Sequence, residues 1–292
     1  MSELTEVFVD GVHQIHFTGG YARLDFMTLD SNDGGATLQQ KPNLRVIMDT
    51  QQMVTLHDAL SSLIQRMREN HILPNPNRGQ TLEERYNPGI FSVPDIEAAK
   101  SIILTKEGQD GPEERWQKET PALMSMLNKT WRLGPGVTVV DYGCGIGRIA
   151  KELCVLGCKV VGVDISPEMR KLAVEYVNNP NFSVISPDEF VSMINNGFTC
   201  DYACAIWVLQ HCLKPDQDLN NICRALMIGG ELFVVNNKYS RAVPVIDRYW
   251  QDDKIDIWQL CGSRLKETRI LGFPEGVGID ARHFQCGFYQ KI

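Results

Sequence analysis

The sequence has no apolar run close to the roughly 18 residues that a membrane-spanning helix needs, so no membrane partner is expected. Its opening residues, MSELTEVFVD, are acidic and lack the basic segment of a secretory signal, which points to a cytoplasmic protein. A basic stripe is also missing: 29 Lys and Arg stand against 36 Asp and Glu, for a net charge of −7. Residues 1–110 carry most of that excess, with 9 cations against 15 acids. A phosphate backbone needs clustered positive charge, so nucleic acid is not expected as a partner. The nine cysteines are odd in number and scattered through apolar segments, as reduced, buried thiols would be. Cys154-x3-Cys158 and Cys200-x3-Cys204 lack zinc-ribbon spacing and a nearby histidine, and no metal is expected.

What is present divides into three stretches. Residues 1–70 read as a small β-rich α+β domain. Strand-like runs lie at 7–17, 21–29 and 44–48, with Gly19-Gly20 as a hairpin turn and a polar, glycine-containing stretch at 31–35. Asp49 or Thr50 then opens a helix on which Met53, Leu56, Leu60, Leu63, Ile64 and Met67 recur at helical spacing. This domain is the natural place for a protein partner or an oligomer contact. Residues 71–112 hold Pro74, Pro76, Pro88, Pro94 and Pro112, the composition of a linker, with a short helix at 94–104. The other reading of this stretch is a lid, with Tyr86 and Phe91 folded over a pocket of the next domain.

From residue 113 to 292 helices and strands alternate strictly. Helix 113–127 precedes strand 137–140; helix 148–156 stops at Gly157; strand 159–163 leads to helix 167–177, with Ser166 as N-cap and Pro167 at its first position. Strand 182–185, a helix at 189–195, the strongly apolar strand 201–208, helix 216–226 and strand 230–235 complete the run. Several strands are apolar throughout, as in a parallel sheet covered on both faces. Residues 264–270 and 283–290 offer two last strands, the second alternating like an antiparallel edge strand. The fold class is therefore α/β, a doubly wound, mostly parallel seven-stranded sheet preceded by the small α+β domain.

The chemistry concentrates in VVDYGCGIGRIAKEL at 139–153. A glycine-rich strand-to-helix turn brings bare backbone up to a ligand at the carboxyl end of the first strand. The dinucleotide fingerprint G-x-G-x-x-G would need glycine at 148, where Arg148 stands, and no Gly-Lys-Ser/Thr ending makes a P-loop. The second strand ends in Asp164, whose carboxylate at the strand tip can accept from both hydroxyls of a ribose. After the third strand, Asp188 stands where an acid could accept from an exocyclic adenine amine, or could simply favour a helix N-terminus.

Together, VVDYGCGIGRIAKEL, VVGVDISPEMRKLAVEYV, CDYACAIWVLQHC and ALMIGGELFVVNN resemble the class I S-adenosylmethionine-dependent methyltransferases over residues 113–292. The resemblance implies S-adenosylmethionine as cofactor. It implies that Asp141 and the turn of Gly143, Cys144, Gly145 and Gly147 hold the methionine moiety, and Asp164 the ribose. It further implies adenine contacts around Ile165 and Asp188, and a wall from Trp207 to Gln210. A turn carrying an acid suits a ligand with an ammonium and a sulfonium better than a pyrophosphate. Trp116, in the helix before the first strand, would either pack over the cofactor or anchor that helix to the sheet. His211 stands beyond the fourth strand, where acceptors approach, and is the candidate catalytic base; a loop hydrogen-bonding role is the other reading. The fourth strand lacks the Asn/Asp-Pro-Pro-aromatic signature of amino-methylating nucleic-acid enzymes, and no Pro-Cys nucleophile exists. A small-molecule acceptor is expected, with a protein side chain or a non-catalytic scaffold as the alternatives. Its determinants should lie in the linker, around Trp116, and at 237–262, which holds Tyr239, Arg241, Arg248, Tyr249, Trp250 and Trp258.

Overall fold

The computed structural model describes residues 6–31, 38–70, 72–73, 79–106, 110–246, 249–274, 277 and 283–292. Most of the polar stretch at 31–35, Pro74, Pro76 and Arg248 therefore lie outside the described residues. The chain divides into two compact units, residues 1–79 and 80–292. The proline-rich stretch is thus split: residues 80–112, grouped with the linker from composition, fold as part of the second unit.

In the first unit, β1 (Gly11–Thr18), β2 (Tyr21–Ser31) and β3 (Leu38–Asp49) form an antiparallel sheet in that order. Gly19 and Gly20 join β1 to β2 with φ of 62° and 82°, the left-handed backbone that a tight hairpin turn demands. Pairing aligns Ile15 with Leu24 and Val46, and Phe17 with Ala22 and Met48, so one face is apolar. On the other face Arg45 clasps Asp25 with both Nε and Nη2, at 2.5 and 2.8 Å. Helix α1 (Thr50–Glu69) starts at Asp49, whose side chain accepts from the Gln52 amide, and packs against β2 and β3.

The second unit opens with short helices, α2 (Leu82–Arg85) and α3 (Ile96–Ile103), then α4 (Pro112–Thr130). Strands β4 (Thr138–Tyr142), β5 (Lys159–Val163), β6 (Phe182–Ile185) and β7 (Cys200–Ile206) follow. Between them lie α5 (Arg148–Val155), α6 (Pro167–Val177) and α7 (Pro187–Asn195). Next come α8 (Pro215–Ala225), β8 (Leu226–Asn237) and a small antiparallel pair, β9 (Val243–Val245) with β10 (Tyr249–Gln251). Helix α9 (Ile257–Arg264), β11 (Lys266–Gly272) and β12 (Phe284–Gln290) end the unit.

The seven-stranded sheet has the order β11-β12-β8-β7-β4-β5-β6. Strands β4 to β8 are parallel and β12 is antiparallel to both neighbours. Alternation in residues 283–290 suggests an edge strand, but β12 is interior, between β8 and β11. Helices cover both faces there, so Cys286, Phe288 and Tyr289 are all fully buried. Apolar side chains fill both faces of the sheet, Val139 and Val160 on one, Val140 and Val161 on the other. This arrangement puts the carboxyl ends of β4, β5 and β7 side by side, where ligands enter doubly wound sheets.

Candidate active site

The glycine turn is shaped by the strands beneath it. The amides of Gly143 and Cys144 both donate to the Val163 carbonyl, at 2.7 and 3.1 Å, binding the turn to the end of β5. Gly143, Gly145 and Gly147 all have positive φ, at 72°, 53° and 83°. Space forbids side chains as well: a Cβ on Gly143 would lie 2.2 Å from Val208 Cγ2, and one on Gly145 2.6 Å from Ile103 Cδ1. Asp164, half-buried, accepts from the Gly145 amide at 2.8 Å and from the Ser166 amide at 2.9 Å. Burial raises its carboxyl above the usual range, and these two bonds oppose the rise.

Above the turn lies a cavity of about 370 Å³. Its lining includes Gly143, Gly145, Asp164, Ile165, Met169 and Pro187, Ile102 and Ile103 of α3, and Tyr86, Phe91, His211, Cys212, Lys214 and Asp218. Tyr86 and Phe91 are held there because the Asn87 amide donates to the Pro244 carbonyl at 3.0 Å, and Tyr86 bridges to Val245.

Five of the nine cofactor residues expected from sequence line this cavity: Gly143, Gly145, Asp164, Ile165 and Trp207. The other four do not. Asp141 is 3% exposed beneath the turn, where it accepts from the Ala150 amide at 3.2 Å and the Cys204 thiol at 3.3 Å. Burial pushes its carboxyl up to about 6. Cys144 is buried against Gly162 of β5. Gly147 is the N-cap of α5, and Asp188 sits exposed in the first turn of α7, where only its neighbour Pro187 reaches the cavity. Trp116 anchors rather than covers: buried, it packs edge-on to Tyr176 at 5.9 Å and beneath the Arg148 guanidinium.

Trp207 has a left-handed backbone, φ 59°, which costs a residue with a Cβ about 1–2 kcal/mol. Its indole packs against Phe273 and Phe284, and its buried Nε1 has no partner. His211 is held at both nitrogens. The Asn237 amide donates to Gln210 Oε1, so Gln210 Nε2 is the donor to His211 Nε2 at 3.1 Å; Nδ1 therefore carries the proton given to the Ala242 carbonyl at 2.6 Å. Burial holds the imidazole down at about 4. Its ring lies between Phe91 and Trp250, at 5.7 and 5.0 Å.

Asp218 went unrecognised in the sequence, where it reads only as an acid in the first turn of a helix. In the structure it faces the cavity, accepts from the Tyr142 hydroxyl, and is raised by burial.

The residues fit a nucleoside without phosphate. Asp164 presents a carboxylate suited to two hydroxyls, the lining is mainly apolar, and among the described lining residues Lys214 is the one Lys or Arg, where a pyrophosphate would call for several cations. A sheet of this order, a three-glycine turn after its central strand and an acid closing the next one agree with the resemblance to the class I S-adenosylmethionine-dependent methyltransferases. Residues 140–234 match the methyltransferase-domain family. Among curated relatives, a ubiquinone biosynthesis O-methyltransferase of Xanthomonas oryzae pv. oryzae is 26% identical over 129 residues, 43% of this chain and 53% of that protein. A sterol 4-C-methyltransferase of Caenorhabditis elegans is 29% identical over 42% of this chain and 39% of its own. The chain thus spans about half the length, or less, of these relatives. The crystal structure of the PH0226 protein from Pyrococcus horikoshii OT3 shares the fold, with TM-score 0.50 and 17% identity over 66% of this chain and 96% of that one. No described helix is long and apolar enough to cross a membrane.

Proposed function

We propose that this chain is an active methyltransferase whose acceptor is a small, largely apolar molecule. One observation carries the reading: a single cavity runs from Asp164 beside the glycine turn to Asp218, through walls made mainly of apolar and aromatic side chains. Asp164 would hold the ribose hydroxyls of S-adenosylmethionine, with Gly143, Gly145, Ile165 and Trp207 around the rest. The cofactor supplies a methyl group activated by its sulfonium, so the protein's task is alignment of the reacting atoms. Phe91, His211 and Tyr86 would form the acceptor wall, and ring stacking on them favours a planar or apolar acceptor. If that acceptor is a hydroxyl, its proton needs a base. Asp218, raised by burial and facing the cavity, suits that role, whereas both nitrogens of His211 are engaged elsewhere. The names of the relatives, an O-methyltransferase of ubiquinone biosynthesis and a sterol 4-C-methyltransferase, agree with a small acceptor.

The test has two stages. Calorimetric titration should show S-adenosylmethionine binding, and its absence would overturn the reading. Incubation of the protein and cofactor, labelled in the methyl, with a metabolite extract and with extracted protein should then put label in the small-molecule fraction. Label in polypeptide instead would favour a protein side chain, and label in neither, despite binding, a non-catalytic scaffold.

A further inference from the structure

Asp218 is an acid in a mainly apolar cavity, without a cation of its own. Among the described lining residues the charged side chains are Asp164, Asp218 and Lys214. The cations around Asp218 serve other acids. Lys214, one turn earlier, has its Nζ 2.7 Å from Glu83 Oε1. Arg241, its guanidinium buried, puts Nη1 2.5 Å from Asp253 Oδ2 and donates from Nη2 to the Cys212 carbonyl. His211 is uncharged at neutral pH, since burial holds its imidazole at about 4. The groups that meet Asp218 are neutral: the Tyr142 hydroxyl donates to it, and the Cys212 thiol lies beside it. A carboxylate accepts about four hydrogen bonds, so capacity remains for a ligand. The rings of Tyr86 and Phe91 line the same cavity.

We infer that the methyl acceptor is a small amine on an apolar or planar body, held as its ammonium by Asp218, an inference that rests on the methyltransferase reading. A carboxylate attracts an ammonium through a charge-assisted hydrogen bond, and aromatic ring faces attract it as well. An anionic acceptor would meet the opposite, two acids and no free cation. A hydroxyl is the nearer rival, and burial decides against it. Leaving water makes an ammonium easier to deprotonate and a hydroxyl harder, because the neutral form is favoured in both. In the transfer, the ammonium gives one proton to the Asp218 carboxylate and becomes a neutral amine. Its lone pair forms the bond to the methyl carbon as the carbon–sulfur bond breaks, and that electron pair stays on sulfur. Positive charge thus passes from sulfur to nitrogen, and Asp218 then releases its proton to water. An oxygen acceptor would instead build negative charge in a lining where, among the described residues, the one Lys or Arg is paired with Glu83.

Phenethylamine and phenethyl alcohol differ only in an amino group against a hydroxyl. With the full chain saturated with S-adenosylhomocysteine, calorimetry should show the amine binding about tenfold more tightly, the difference between a charged and a neutral hydrogen bond to a carboxylate. Asp218→Asn should remove that gap while circular dichroism and the alcohol's affinity stay as in wild type. A wild-type gap below about threefold, binding of neither probe included, or a gap that persists in folded Asp218→Asn, would overturn the inference. A second readout needs no variant. After incubation with a metabolite extract and cofactor deuterated in the methyl, the product should carry its label in a methylamine fragment in the mass spectrometer. Label on oxygen or carbon would overturn the amine and leave the methyltransferase reading standing. No label in any fraction would remove that reading itself.

Discussion

The amide of Gly145 donates to Asp164 Oδ2 at 2.8 Å, so the acid that ends β5 also fixes the glycine turn after β4. One carboxylate thereby positions both the backbone and itself for a ligand. Asp164→Ala strands the Gly145 and Ser166 amides and removes the acceptor for a diol. We expect S-adenosylmethionine affinity to fall about 100-fold, from about 3 kcal/mol of lost charge-assisted hydrogen bonding. Calorimetry checks this, and binding within threefold of wild type would remove Asp164 from the site.

Glycine is required at 143 for two separable reasons, conformation and space. Gly143→Ala forces a Cβ to within 2.2 Å of Val208 at φ 72°. Gly197→Ala imposes a similar φ, 87°, with nothing within 4 Å. The second should cost about 1 kcal/mol and the first about 3 or more. Denaturant unfolding of both variants should show that gap; equal losses would mean that Val208 yields.

Acid dependence should show two opposed contributions. Asp141 titrates near 6 in the folded chain and near 4 when unfolded, so the folded state holds more protons between them. Its contribution favours low pH and is lost as pH rises toward 6, by at most about 3 kcal/mol at ~1.36 kcal/mol per pK unit. His211 titrates near 4 folded and near 6.5 unfolded, so its contribution is present above 6.5 and lost as pH falls toward 4. Asp164 and Asp218, also raised by burial, add to the Asp141 direction. Measured against wild type, Asp141→Asn should therefore gain stability as pH rises from 4 to 6, and His211→Gln should lose it. Thermal melts of the three proteins settle the signs.

How much of this was readable in advance follows from which signals are local. The glycine turn and Asp164 stand in one strand-turn-helix-strand unit, so spacing alone exposed them. Asp141 carries the same local signature, yet β4 turns its carboxylate under the turn, onto the Ala150 amide. Which side of a strand end faces the cavity depends on packing from both neighbouring strands, which no local pattern records. Ile103 and Asp218 reach the cavity from segments more than 100 residues apart, and only the closed fold brings them together. The interior position of β12 was hidden for a similar reason: its alternating residues are buried on both faces by helices from elsewhere in the chain.

The acceptor wall offers a test that separates acceptor from cofactor binding. Phe91 packs against His211 and Trp250 in the cavity lining. Phe91→Ala should raise the KM for the acceptor about tenfold, for roughly 1–2 kcal/mol of lost ring contact. Cofactor affinity, measured in parallel, should stay within twofold, and a matching loss there would place Phe91 against the cofactor instead.

The place of β12 in the sheet also orders the events of synthesis. Strand β8 is complete at Asn237, but the strand that covers its open side begins only at Phe284. At about 5–20 residues per second, the ribosome needs some 2–9 seconds to make the intervening stretch. During that interval the nascent sheet shows a bare, hydrophobic edge rich in Phe and Val. A chaperone that shields extended apolar strands would be of most use to this protein in that window, before its last strand slides between two that are already waiting.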